Sequence, residues 1–418
     1  MHAATSIPAL RRLRVQGLHR SGEPVVALHD PLGVADAGAD WPVVVPSRVF
    51  EIARRFDGSC GAEQIAYGLR AWNHPPTIDE IARVAAGFSE KLLLDDGRFR
   101  SAAAAALARW NELDARPCRD QAVLAASDAD ARFGLRMRVA GLVADDWDMP
   151  APRGLRALFA PGGSFERAGR LYGRVYAAAR HAQPERVILL SSAGAPLEPL
   201  LVPLARPLST PLGTPVFDTD GLARLGIDAG ASQLAHARHV ALERHALFLA
   251  LLLPRVPVLP LLVGALPTRL PDAQESPRGL PEVERALEAL QRAIGDPERT
   301  LVIACFELAH FDARAEQPLE LGARTGAQLR PFDQQAMDRA LAIDAEGFWR
   351  AGLALDDAWR AAQLSAPYLA LRLLEARARE LEPGHTLSGD VLGYLQSHGR
   401  DDLSSWVAAA FLERTPEA

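Results

Sequence analysis

The densest set of chemically capable side chains lies between residues 236 and 245. His236, His239, Glu243 and His245 fall within this window. On a helix, His239 and Glu243 share a face at a spacing of four, with His236 three residues earlier. Two neutral imidazoles and a carboxylate so placed can hold zinc or iron. The spacing is not HExxH, which argues against a metallopeptidase. A second pair, Glu307 and His310, is three residues apart and can act as catalytic acid and base if both face a cleft. Together these residues allow a relocated site for iron, copper or zinc made from His236, His239, Glu243, Glu307 and His310. The competing reading is structural. In it His236 and His239 face solvent, Glu243 caps a loop, and Glu307 and His310 bond each other or the backbone. Cys305 lies inside the apolar run TLVIACF, where a thiol is buried, protonated and inert. Ser191-Ser192 and Pro161-Gly162-Gly163-Ser164 can turn backbone N–H groups toward an anion. No GxGxxG accompanies them, which disfavours a dinucleotide.

Short apolar runs alternating with helical periods must position these groups. Leu155–Ala160, Arg186–Ser192, Val256–Gly264 and Thr300–Phe306 read as buried strands. Helices are expected after Ser164 through His181 and over Pro281–Ile294. This alternation predicts an α/β domain over 152–418, its central sheet covered by helices on both faces. Functional loops in such folds lie at the carboxyl ends of strands, here 161–165, 191–199 and 306–312. Trp349, Trp359 and Trp406 are expected in C-terminal helical segments as core residues. The apolar stretch Ala246–Ala265 is broken by Pro254, Pro257 and Pro260, so it reads as a helix and then a strand, not a membrane span.

Residues 1–100 read as a separate small α+β domain. Val25–Leu28 and Trp41–Val45 are extended. Helices are expected over Ser47–Phe56, with Ser47 as N-cap, and over Ala62–Trp72. A third starts at Thr77, with Glu80 completing a capping box and Ile81, Val84, Ala85 and Phe88 at helical spacing. Leu92–Phe99 is expected to form a small wing or hairpin, with Asp95-Asp96-Gly97 as the turn. Residues 101–151, an Ala-rich helix followed by an acidic stretch, read as a linker.

The 418 residues carry a net charge of −6, which disfavours general nucleic-acid binding. Lys91 is the only lysine and no P-loop surrounds it, so Schiff-base and Walker chemistry find no support. Arginine supplies the remaining basic charge, as in proteins of GC-rich bacteria. Three scattered cysteines form no disulfide framework, and no signal peptide is apparent; a cytoplasmic location is expected.

Several motifs, in order, resemble the Memo family, whose fold is shared with the class III extradiol dioxygenases. They are RVILLSSAG, Thr210-Pro211-Leu212-Gly213 with Asp218, ALERHALFLALLLP retaining Glu243, Leu261-Leu262-Val263-Gly264, IACFELAHFD retaining His310, and Tyr394 with Ser397. The resemblance implies a metal-binding α/β domain. It also implies association with radical-SAM or AMMECR-type proteins. The family's ligand positions align with Gly162, Gly194, Val240 and Ala309, none of which has a side chain that ligates a metal. Asp of the family's Ser-Ser-Asp loop is Glu307, and its late Cys-Gly is absent near QLSAP. Residues 10–100, with FDGSCGAEQIAYGLRA and TIDEIARVAAGFSEKLLLDDGRFR, resemble PqqD-like winged-helix modules, which bind peptides. The expectation is a Memo-like protein without the usual metal site or cofactor, acting on a peptide or protein partner. The alternative is a metal-dependent, dioxygenase-like oxidoreductase with the relocated site.

Overall fold

The computed structural model describes residues 6–20, 22–35, 42–120, 123, 126, 128–144, 153–268, 276–312, 323–354, 362–399 and 402–415. Trp359 and the acidic residues 145–148 lie outside the described residues. The chain forms two compact units, and the division falls between Leu113 and Asp114.

In the first unit, strands β1 (Arg14–Arg20), β2 (Glu23–His29) and β3 (Val43–Pro46) make an antiparallel sheet in that order. Helices α1 (Ser47–Ala53), α2 (Ala62–Gly68), α3 (Ile78–Glu90) and α4 (Gly97–Asn111) follow. Thr77 caps α3 as its sequence predicts, its Oγ1 accepting the Glu80 N–H at 3.1 Å. Ser47 is not an N-cap. Pro46 takes that position without a side-chain bond, and Ser47 is already helical. The expected wing is also replaced by a helix start. Asp96 accepts the Phe99 N–H at 2.9 Å, and the Ala-rich segment from Gly97 winds into α4. Leu28, Ile52, Phe56, Ile81 and Phe88 form this unit's core. The buried Arg11–Asp30 pair, 2.6 Å apart, closes it; Asp30 also accepts the Leu32 and Ala35 N–H groups.

The second unit holds α5 (Ala129–Ala144), β4 (Leu155–Pro161), α6 (Phe165–Ala182), β5 (Arg186–Ser192), β6 (Leu201–Pro203) and α7 (Thr219–Leu225). A 3₁₀ segment (Gly230–Ala237), α8 (Ala241–Leu252), β7 (Val258–Val263), α9 (Pro281–Ile294), β8 (Thr300–Phe306) and β9 (Ala309–Asp312) come next. Helices α10 (Ala323–Leu341), α11 (Ala345–Leu353) and α12 (Ser365–Arg379) precede the hairpin β10 (Thr386–His398) and β11 (Asp402–Arg414). The sheet order is β10-β11-β4-β8-β5-β7-β6, with β9 on β11. The central strands β4, β8, β5 and β7 are parallel, and the flanking pairs are antiparallel. Their continuous apolar runs are buried on both faces, as helices on each side require. Trp349 lies in α11 as expected, but Trp406 lies in strand β11. The sequence SSWVAAAFLE has helix-forming alanines, yet pairing with β4 and β10 fixes it as a strand. Residues 114–144, where described, belong to this unit and not to a linker. Among the described residues no helix is long and apolar enough to cross a membrane.

Candidate functional site

The carboxyl edge of the parallel strands gathers most of the chemically capable groups. Ser191, the penultimate residue of β5, pairs with Cys305 of β8, and Pro161 ends β4 beside Phe306. Consecutive strand residues face opposite sides of the sheet. The Ser191 hydroxyl meets His239 just before α8, while the Ser192 hydroxyl bonds the Gln363 carbonyl at 2.6 Å and the Ala366 N–H of α12 at 3.1 Å. Helices α8 and α12 therefore lie on opposite faces.

Glu243, fully buried on the first turn of α8, is the most heavily bonded carboxylate of the α8 face. Its Oε1 accepts from Arg116 Nη2 at 2.6 Å. Its Oε2 accepts the Cys118 thiol at 2.9 Å and the N–H groups of Arg119 and Asp120, both at 2.7 Å. Arg116 also donates to the carbonyls of His236 and His239 at 2.5 and 2.9 Å. Arg244 completes the strap through Asp120 at 2.5 Å, and it donates to the Gly162 carbonyl at 3.0 Å. A buried ion pair supported by this many hydrogen bonds holds a segment in place. Burial and the neighbouring carboxylate push the Cys118 thiol up to about 12.

The three histidines of this region are separately engaged. His236, buried, donates from Nε2 to the Val202 carbonyl at 2.9 Å. His245, also buried, donates from Nε2 to the Pro161 carbonyl at 3.1 Å, which leaves Nδ1 to accept the Tyr176 hydroxyl at 2.9 Å. His239 is half-buried, and its Nε2 accepts the Ser191 hydroxyl at 2.6 Å. Desolvation pushes all three down to about 3, assisted by Arg116 at His236 and by Arg116 and Arg244 at His239. All three are neutral at pH 7.

Glu307 follows β8 and His310 lies on β9, and Glu307 Oε2 is 3.8 Å from His310 Nδ1. The same nitrogen is 2.8 Å from Ser404 Oγ, and Glu307 Oε1 accepts the Trp406 indole N–H at 3.3 Å. Trp406 is buried against the Gly162-Gly163 loop. A Cβ on Gly163 would stand 2.5 Å from its ring, and one on Gly162 would meet the Phe306 backbone at 3.1 Å. The Tyr172 hydroxyl fastens this loop by donating to the Gly163 carbonyl at 2.9 Å. Cys305 is buried, its thiol donating to the Leu190 carbonyl and pushed up to about 12 by desolvation.

A family model described as Memo-like protein matches residues 145–356, just over half of the chain. The chain belongs to the Memo-like family. No curated protein matches it.

Of the positions that the sequence resemblance pairs with family ligands, Gly162 and Gly194 have no side chain to offer. Val240 is the N-cap of α8, and Ala309 is buried on β9. The relocated set does not assemble. Among the described residues no three His, Cys, Asp or Glu side chains are grouped to hold a metal. The helical face shared by His239 and Glu243 fails because α8 begins only at Ala241, so the histidine sits on the preceding turn. Glu243 is consumed by Arg116 and the 118–120 backbone, while His236 turns to β6 and is not solvent-facing. The residues present do not fit the iron, copper or zinc of the alternative reading. Only Glu307 and His310 are brought together as expected. Sequence reasoning missed Arg116, Cys118, Asp120, Arg244 and Trp406. It also missed the Ser191–His239 contact, whose partners are 48 residues apart.

Proposed function

We propose that this Memo-like protein works without the family's loop-histidine metal chemistry, by binding a peptide or protein partner. The observation that carries the reading is Trp406. Its indole stands against Gly163 where a mere Cβ would clash, and it bonds Glu307. The space beside the Gly162-Gly163 loop is thus occupied by protein. An imidazole on this loop, and the open coordination positions that oxygen chemistry needs, would require that packing to be dismantled. No metal or cofactor belongs to this reading.

The partner-binding half rests on the first unit, read as a PqqD-like module whose expected wing at Leu92–Phe99 is a helix start. Strand β3 is paired only with β2 among the described residues, and Val44 on it is exposed. An edge of this kind accepts an extended peptide as a fourth strand. A photo-crosslinking amino acid at Val44 in the full chain, expressed with its native cellular contents, tests this. The expected result is one adduct of defined mass that is missing when the crosslinker replaces exposed Phe133 on α5. Equal adduct patterns from both positions, or none, count against the reading.

A further inference from the structure

The Ser191–His239 contact belongs neither to the family's metal chemistry nor to partner binding. We propose that Ser191 and His239 form a nucleophile–base dyad that hydrolyses small acyl esters or thioesters, an activity separate from partner binding. The position and bonding of the two residues support it. Ser191 lies at the carboxyl end of a central parallel strand, the edge where α/β folds place their reacting groups. Its Oγ is 2.6 Å from His239 Nε2, within the reach a general base needs. The backbone of His239 is fixed from behind, its carbonyl held by Arg116, which is itself locked to Glu243. Arg244 of α8, anchored to Asp120 and to the Gly162 carbonyl, places a fixed cation on the helix that follows His239.

The arrangement also defines the substrate class. Ser191 is 1% exposed and His239 half-buried, so the imidazole is the more open side of the pair, and a hydroxyl this buried restricts the substrate to a small acyl group. Among the described residues His239 has no bonded carboxylate, which makes this a dyad and not a triad.

The step balances as acyl transfer to water. Ser191 Oγ attacks the acyl carbon and its proton passes to His239 Nε2. The bond to the leaving oxygen or sulfur breaks, and the alcohol or thiol departs with that proton. Water then attacks the acyl–serine ester and gives one proton to His239. The carboxylic acid leaves as Oγ recovers the proton. Arg116 is a positioning residue in this scheme, since its bond to His239 is to the backbone carbonyl and not to the imidazole.

The test uses the full chain with a fluorophosphonate probe and with p-nitrophenyl acetate. The expected outcome is a phosphonyl adduct on Ser191, mapped by peptide mass spectrometry, and ester hydrolysis that falls at least about 100-fold in Ser191→Ala and in His239→Gln. Both variants should keep the wild-type circular dichroism spectrum. Because adduct mapping uses the wild-type protein, it stands even if a variant folds poorly. Wild-type protein that takes no label on Ser191, or a folded Ser191→Ala protein that hydrolyses the ester at the wild-type rate, overturns the proposal. Neither result bears on crosslinking at Val44, so the two readings fail independently.

Discussion

Glu243 and Glu307 are both carboxylates in conspicuous sequence motifs, and they occupy opposite surroundings. Glu243 is fully buried and takes four donors, all from the strap at 116–120: the Arg116 guanidinium, the Cys118 thiol and the N–H groups of Arg119 and Asp120. Glu307 is partly buried, and its described contacts are one indole N–H at 3.3 Å and a histidine nitrogen at 3.8 Å. The difference teaches how to read a retained acidic residue. A carboxylate with every lone pair satisfied by its own chain is a fastener. One with loose, long contacts on a loop at the carboxyl edge keeps capacity for something else.

The sharpest way to break this comparison is to remove each carboxylate. Glu243→Ala leaves the Arg116 guanidinium buried without its partner, which costs about 3–5 kcal/mol. Glu307→Ala should cost below about 1 kcal/mol, since no buried charge is orphaned by it. Urea denaturation of both variants checks the ratio. Equal losses would mean that the strap is not a fastener.

Acid sharpens it further. His236, His239 and His245 surround the Glu243 strap and sit at about 3, against an ordinary 6.5. The unfolded chain therefore takes up three protons below pH 6.5 that the folded chain refuses. Stability contributed by these neutral rings is full above 6.5 and is lost as pH falls from 6.5 toward 3. The loss is on the order of 1 kcal/mol per histidine for each pH unit. Unfolding followed between pH 7 and pH 5 should show this fall. A His245→Phe variant should flatten it, and an unchanged slope would contradict the burial argument.

The smallest expected effect is at the Trp406 side of the edge. Gly163→Ala places a methyl against the indole and should cost about 1–3 kcal/mol. Gly162→Ala, whose nearest neighbour is farther at 3.1 Å, should cost less. Thermal melts of the two variants rank them, and the reverse order would show that Trp406 does not press on this loop.

Much of the scaffold was legible before the structure. The strands at Arg186–Ser192 and Thr300–Phe306 and the helix at Pro281–Ile294 match their sequence bounds, because long apolar runs and an N1 proline are local signals. The Thr77 cap was legible for the same reason. The site was not. Arg116 lies 127 residues from Glu243 and is one arginine among 45, so nothing local marks it as the partner of a buried carboxylate. Likewise, His236, His239 and Glu243 have spacing that suits a metal on one helix. A break between the 3₁₀ turn and α8 sends their side chains to β6, to Ser191 and to the strap. Trp406 was misplaced because alanine-rich sequence favours a helix until a neighbouring strand claims its backbone.

In the proposed reading Trp406 closes the carboxyl edge of this Memo-like domain at Gly162-Gly163, and the domain works without a metal. Elemental analysis by mass spectrometry tests it most directly. The protein should be tag-free, purified without oxygen or chelators, loaded with iron, copper or zinc, and then desalted. The account predicts folded protein with each metal far below one equivalent. Near-stoichiometric metal that disappears in a His239→Ala/His310→Ala double variant would contradict it.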